Sequence, residues 1–220
     1  MRLLPLRRFL PQSLSSQRRR HAPYRFSIPG LETLEDRTLL AASISGVVTA
    51  GGSGFSDATV SLYEADADGA TLIGQDTADA DGNFEVTYSE SDADVGSFLY
   101  IVASDGDPAG SEVLLVGLAG EVGPELHETI TVNEFTTVGT VFALSQFIDG
   151  TEISGPSPGL DNAVATAFSL YDPETGTPAT TVSNFNNGTT LAENPTSTQA
   201  LVKMNALANM VAACAPDPRG

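Results

Sequence analysis

Residues Ile44 to Tyr88 read ISGVVTAGGSGFSDATVSLYEADADGATLIGQDTADADGNFEVTY, and this stretch decides the fold class. Short alternating apolar runs are separated by Gly- and Asp-rich turns, the pattern of antiparallel strands with one buried face. Val60 and Leu62 fall on one face, and Ser61 and Tyr63 on the other. Phe84, Val86 and Tyr88 share a face, with Glu85 and Thr87 opposite. Between these runs, Asp81-Gly82 supplies the positive φ that a tight turn needs. The stretch carries no ligand-binding signature, and no catalytic motif accompanies it.

Working outward, strands are expected near 43–49, 58–64, 70–76, 83–89, 97–104, 111–118 and 126–132. Phe98-Leu99-Tyr100-Ile101-Val102 is apolar on both faces, which predicts the central, most buried strand. Gly51-Gly52-Ser53-Gly54 reads as a flexible loop. Seven short strands at this spacing favour a sandwich over a barrel.

The segments ISGVVT (44–49), ATVSLYEAD (58–66) and TADADGNFEV (77–86) resemble the carboxypeptidase-regulatory-like and surface-adhesin repeat-domain families. The resemblance covers about residues 42–132. It implies a seven-stranded antiparallel sandwich of prealbumin-like topology, of a kind common in secreted bacterial proteins. It also implies a spacer, adhesive or carbohydrate-facing role rather than an enzyme. Some adhesin relatives lock the sandwich with a Lys–Asn isopeptide bond. The sole lysine here, Lys203, lies outside the sandwich, so no such bond is expected.

Charge is unevenly placed. Residues 1–30 hold seven arginines and no acid, whereas the rest sets Arg37, Lys203 and Arg219 against all 28 acids. A body this acidic excludes nucleic acid as a partner, because phosphate contacts need Lys and Arg. It also repels anionic membrane surfaces, and it either attracts divalent cations or serves solubility. No apolar run approaches the roughly 18 residues of a spanning helix.

Residues 1–42 are expected to be a disordered basic arm carrying a targeting segment. The usual continuous apolar core of a secretory signal is missing, and Arg7-Arg8-Phe9-Leu10 matches a twin-arginine signal only faintly. LETLEDRTLL resembles the LExLExRxLL N-terminal signal of some large bacterial surface and secreted proteins. The matching residues are Leu31, Glu32, Leu34, Glu35, Arg37, Leu39 and Leu40. The plainer reading is one turn of amphipathic helix before the first strand. Ala41-Ala42-Ser43 offers small residues for peptidase cleavage, and an extracellular or cell-surface location follows from the signal.

Asp-x-Asp pairs recur every 13 residues, at Asp66/Asp68, Asp79/Asp81, Asp92/Asp94 and Asp105/Asp107. Each strand and its turn fill one period, so each pair sits in an interstrand loop. Antiparallel strands reverse direction, so the first and third pairs should share one end and the others the opposite end. Calcium takes six to eight oxygens, largely carboxylate and carbonyl. Asp66, Asp68, Asp92 and Asp94 are therefore the candidate calcium ligands. No segment matches an EF-hand loop: counted from Glu64, position 12 is Gln75, and from Thr77 it is Tyr88. The competing reading is that Asp is a good turn former and these loops are solvated.

Residues 133–220 change character and read as a helical extension. Phe135, Val138, Val141 and Phe142 have helical spacing after an Asn133 cap, with Gly150 ending the segment. A second helix runs from Gly159 to Tyr171, with Ala163, Val164, Ala167 and Phe168 inward and Pro173 ending it. A third, Thr198 to Cys214, shows a stripe of Leu201, Met204, Leu207, Val211 and Cys214, read as core. TVNEFTTVGTVFALSQF, ISGPSPGLDNAVATAFSLYDPETGTPA and MNALANMVAACA resemble a helical region of large secreted bacterial repeat proteins. In those proteins further repeats follow, so a shortened member with an exposed apolar helical face is expected here. The single cysteine, Cys214, has no internal partner, and longer relatives would carry one further on.

The two histidines, His21 in the arm and His127 in an expected strand, make no zinc site with one cysteine. There is no G-x-S-x-G elbow and no phosphate loop. The chain has no Trp to line a sugar cleft, and among the strand tyrosines Tyr63 alone faces outward. Asn187-Gly188-Thr189 is a glycosylation sequon. The sequence thus points to a non-enzymatic, exported structural or adhesive module whose partners are neighbouring surface or matrix components. The alternative is a carbohydrate- or calcium-binding module of a larger secreted protein. An enzyme would need acids or His127 converging in a cleft.

Overall fold

The computed structural model describes residues 41–105, 113–179, 182 and 195–214, the last helix by its backbone alone over 195–199. The basic arm, the Leu31–Leu40 signal, Asp107 and the sequon lie outside the described residues. The protein is mainly β, built of antiparallel sheets with a C-terminal helix. In the first sheet, β1 (Ala41–Ala50) runs in the middle, and the two-residue β2 (Ser53–Gly54) folds back on its end. The second sheet has the order β4 (Ala70–Thr77), β3 (Thr59–Ala65), β6 (Phe98–Ser104), β7 (Leu114–Glu121). On one side of β1 lies β5 (Asn83–Ser89), antiparallel from Ala41↔Ser89 to Val47↔Asn83. On the other side lies β8 (Thr129–Val132), parallel from Ser45↔Thr129 to Val48↔Val132. That parallel pair departs from the all-antiparallel expectation. A chain returning from the far sheet enters beside β1 in β1's own direction.

The alternation seen in the sequence becomes burial. Phe84, Val86 and Tyr88 are buried while Glu85 and Thr87 are exposed. Ile44, Val48, Val60, Leu62, Val86, Leu99, Ile101 and Ile130 belong to one core formed by the inner faces of the two sheets. β6 is buried on both faces, as its sequence predicts. Leu99, Ile101 and Ala103 enter that core, and Phe98, Tyr100 and Val102 enter a second one. At the β4–β5 turn, Asp79 Oδ1 accepts the N–H of Asp81 at 2.9 Å and of Asn83 at 2.8 Å. Gly82 there has φ +85°, a backbone state that glycine adopts without steric cost. These bonds, first that from the Asn83 side chain, hold the Asp79 carboxyl below the ordinary carboxylate range. The GGSG segment is ordered: Gly51-Gly52 is the turn of the β1–β2 hairpin.

The helical part packs as a further layer on the outer face of the second sheet, where it completes the second core. The described residues belong to one compact unit. α1 (Glu134–Ala143) starts at Asn133, whose side chain and that of Thr136 form a reciprocal capping box. A short hairpin of β9 (Ile148–Asp149) and β10 (Glu152–Ile153) follows. Gly150 therefore sits in a hairpin turn and not at a helix end. The Tyr100 hydroxyl ties this hairpin down, donating to the Thr151 carbonyl at 3.0 Å and accepting the Ile153 N–H at 3.2 Å. α2 (Gly159–Leu170) buries Ala163, Val164 and Ala167. α3 (Pro195–Ala212) buries Met204. Leu160, Val164, Tyr171 and Met204 close the second core over Tyr100, Val116 and Leu118.

The orientation of α1 splits its expected apolar face: Phe135 and Val138 are half-buried against the second core, and Val141 and Phe142 are not. Thr136, Thr137 and Thr140 are buried, while Val141 and Phe142 are exposed. The cause is the edge of β7, whose backbone groups need partners. The Val116 N–H donates to Thr137 Oγ1 at 3.0 Å, and Thr136 Oγ1 donates to the Val116 carbonyl at 2.9 Å. The helix presents hydroxyls to the strand edge, and Val141 and Phe142 are turned outward.

Candidate functional site

The displaced apolar side of α1 meets α3. The α3 residues that pack inward are Leu201, Met204, Ala208 and Val211, at the i, i+3, i+7, i+10 spacing of one helix face. The expected stripe is therefore corrected at two positions. Ala208 is buried where Leu207 was expected, and Cys214 is exposed. A small side chain lets the helix approach closely, and Leu207 is left to look outward. Between the two helices lies a groove of about 490 Å³ lined by Val138, Val141, Phe142, Leu207, Met210 and Val211, with Thr137 and Cys214 at its margins. Phe142 is 69% exposed and Met210 67%. No charged residue lines the groove. Such a contiguous apolar surface on an acidic protein is suited to recognition by contact. It holds no acid and no histidine.

Of the acidic loops, those of Asp66 and Asp94 come together at one end, as the alternation of strand direction predicts. Asp66 and Asp94 line one cleft of about 270 Å³, together with Asp161 at the start of α2. Asp66 Oδ1 accepts the N–H groups of Asp68 at 2.7 Å and Gly69 at 2.9 Å. The Asp94 N–H donates to Glu64 Oε1 at 2.6 Å. Asp68 and Asp92 are exposed on the same two loops, Asp92 in a 3₁₀ turn over Glu90–Asp92. Among the described residues, no three acidic, histidine or cysteine side chains are gathered as a metal ion would require. Asp105 follows β6, and its Oδ1 accepts the Val113 N–H at 3.2 Å.

His127 precedes β8 instead of lying in a strand. Its Nδ1 is 3.4 Å from Glu174 Oε1, and its ring meets Phe168 edge-on at 5.5 Å. It shares a cleft of about 410 Å³ with Glu121, Glu125, Asp161 and Phe168. Acids and His127 thus share one cleft, the arrangement that the enzyme reading requires, and no hydroxyl or thiol side chain lines it. Tyr63, expected to stand outward, is half-buried and stacked on Tyr100 at 5.3 Å and 15°. Ala41-Ala42-Ser43, the expected cleavage segment, already belongs to β1 and pairs with Ser89, Tyr88 and Thr87. An exposed apolar helical face was expected from the sequence, but not which residues form it: Val141 and Phe142 of α1 with Leu207 and Met210 of α3. The available signal was the threonine set 136, 137 and 140, a hydroxyl-bearing helix side that a strand edge can use.

No protein-family model matches the chain, and no curated protein matches it. Among solved structures, a 9R-lipoxygenase from Cyanothece PCC8801 is similar over 41% of this chain, at 15% identity and a TM-score of 0.27. The matched part spans 15% of that lipoxygenase chain. A likeness this distant places neither the fold nor an activity. Among the described residues, no helix is long and apolar enough to cross a membrane.

Proposed function

We propose that this protein is a non-enzymatic, exported structural or adhesive module that acts by contact with neighbouring surface or matrix components. The groove between α1 and α3 carries the reading. It is apolar, uncharged and open, with Phe142 and Met210 protruding at its rim. We read the two sheets as a seven-stranded prealbumin-like sandwich of the carboxypeptidase-regulatory-like type, and the LExLExRxLL-like segment as the export signal. Because Ala41–Ser43 lie in β1 and pair with β5, cleavage there must precede folding of the strand. Fractionation of the producing cell, with N-terminal sequencing of the chain, tests the reading. It expects the protein at the surface or in the medium, beginning within Ala41–Ser43. A chain confined to the cytoplasm with its arm intact would sink it.

The cleft of Glu121, Glu125, Asp161 and Phe168 favours a second reading, carbohydrate binding. Carboxylates accept hydrogen bonds from sugar hydroxyls, and an aromatic face takes a pyranose ring. A panel of saccharides should then raise the melting temperature, and Phe168→Ala should abolish the rise. No rise with any member removes this reading. Calcium binding by Asp66, Asp68, Asp92 and Asp94 rests on the cleft shared by Asp66 and Asp94. Melting in millimolar calcium against a chelator decides it. A ligand at a hundredfold excess over Kd stabilises by about 2.7 kcal/mol, and Asp66→Asn with Asp94→Asn would cancel that gain. Equal melting leaves these loops as solvated turns.

A further inference from the structure

We draw no further inference here: the strongest candidate, the apolar groove between α1 and α3 rimmed by Phe142, Leu207 and Met210, is the surface the proposed function already uses, and nothing in the structure shows which molecule covers it.

Discussion

Tyr171, at the end of α2, accepts the backbone N–H of Leu118 on its phenolic oxygen at 3.2 Å. The same oxygen is 2.9 Å from Thr140 Oγ1, so one buried hydroxyl joins the edge of β7 to both α1 and α2. Gly139 allows this arrangement, because a Cβ there would lie 2.4 Å from the Tyr171 ring. Tyr171→Phe keeps the ring and strands the Leu118 N–H. Leaving a buried donor unpaired costs about 1–3 kcal/mol. Denaturant titration should show a loss in that range, with Thr140→Val coupled to it in a double-mutant cycle. A loss under about 0.5 kcal/mol, the scatter of ordinary surface substitutions, would show that the hydroxyl does not anchor the helices.

Alkaline pH reads the same site independently. Burial pushes the phenols of Tyr171 and Tyr100 up to about 12, against an ordinary value of 10.0. The folded state therefore holds these protons more tightly than the unfolded one. Their contribution is fully present below pH 10 and is lost as pH rises towards 12. Each tenfold separation in acidity is worth about 1.4 kcal/mol for a buried group. Unfolding free energies measured from pH 9 upward should fall across that window, and Tyr171→Phe should flatten the fall. A stability flat to pH 12 contradicts the burial of both phenols.

Two methionines on α3 separate packing from contact. Met204 is 5% exposed and Met210 67%. Met204→Ala should cost about 2–5 kcal/mol, the range for emptying a packed site. Met210→Ala should stay within about 0.5 kcal/mol. Thermal melts of the two variants check this, and equal losses would mean that α3 is rotated about its axis relative to the arrangement described.

The strands were legible in the sequence because each carries its own period. Val60 and Leu62, or Phe84 and Val86, reveal their face without knowledge of the neighbours. β6 was legible as central because both of its faces are apolar. The side chosen by α1 was not legible, because it depends on an edge strand distant in sequence. The N–H of Val116 recruits Thr137, and the rotation this sets keeps Phe135 and Val138 half-buried while leaving Val141 and Phe142 exposed. The same limit explains Leu207 and Ala208, adjacent in sequence and differing in burial through the depth at which α3 seats. The shared cleft of Asp66 and Asp94 followed from strand alternation alone. The cleft around His127 did not, since it joins Glu121 to Asp161 and Phe168 across 47 residues of chain.

Binding of the purified protein to the surface of the producing cell tests the contact reading most directly. The wild type is compared with Phe142→Glu/Met210→Glu, both variants first shown to melt alike. Both side chains protrude, so the charges enter water and leave the cores untouched. The wild type should remain with the cell-surface or matrix fraction through washing, and the double variant should wash off. Equal retention of the two proteins, or retention of neither, would contradict a role for the α1–α3 groove in surface contact.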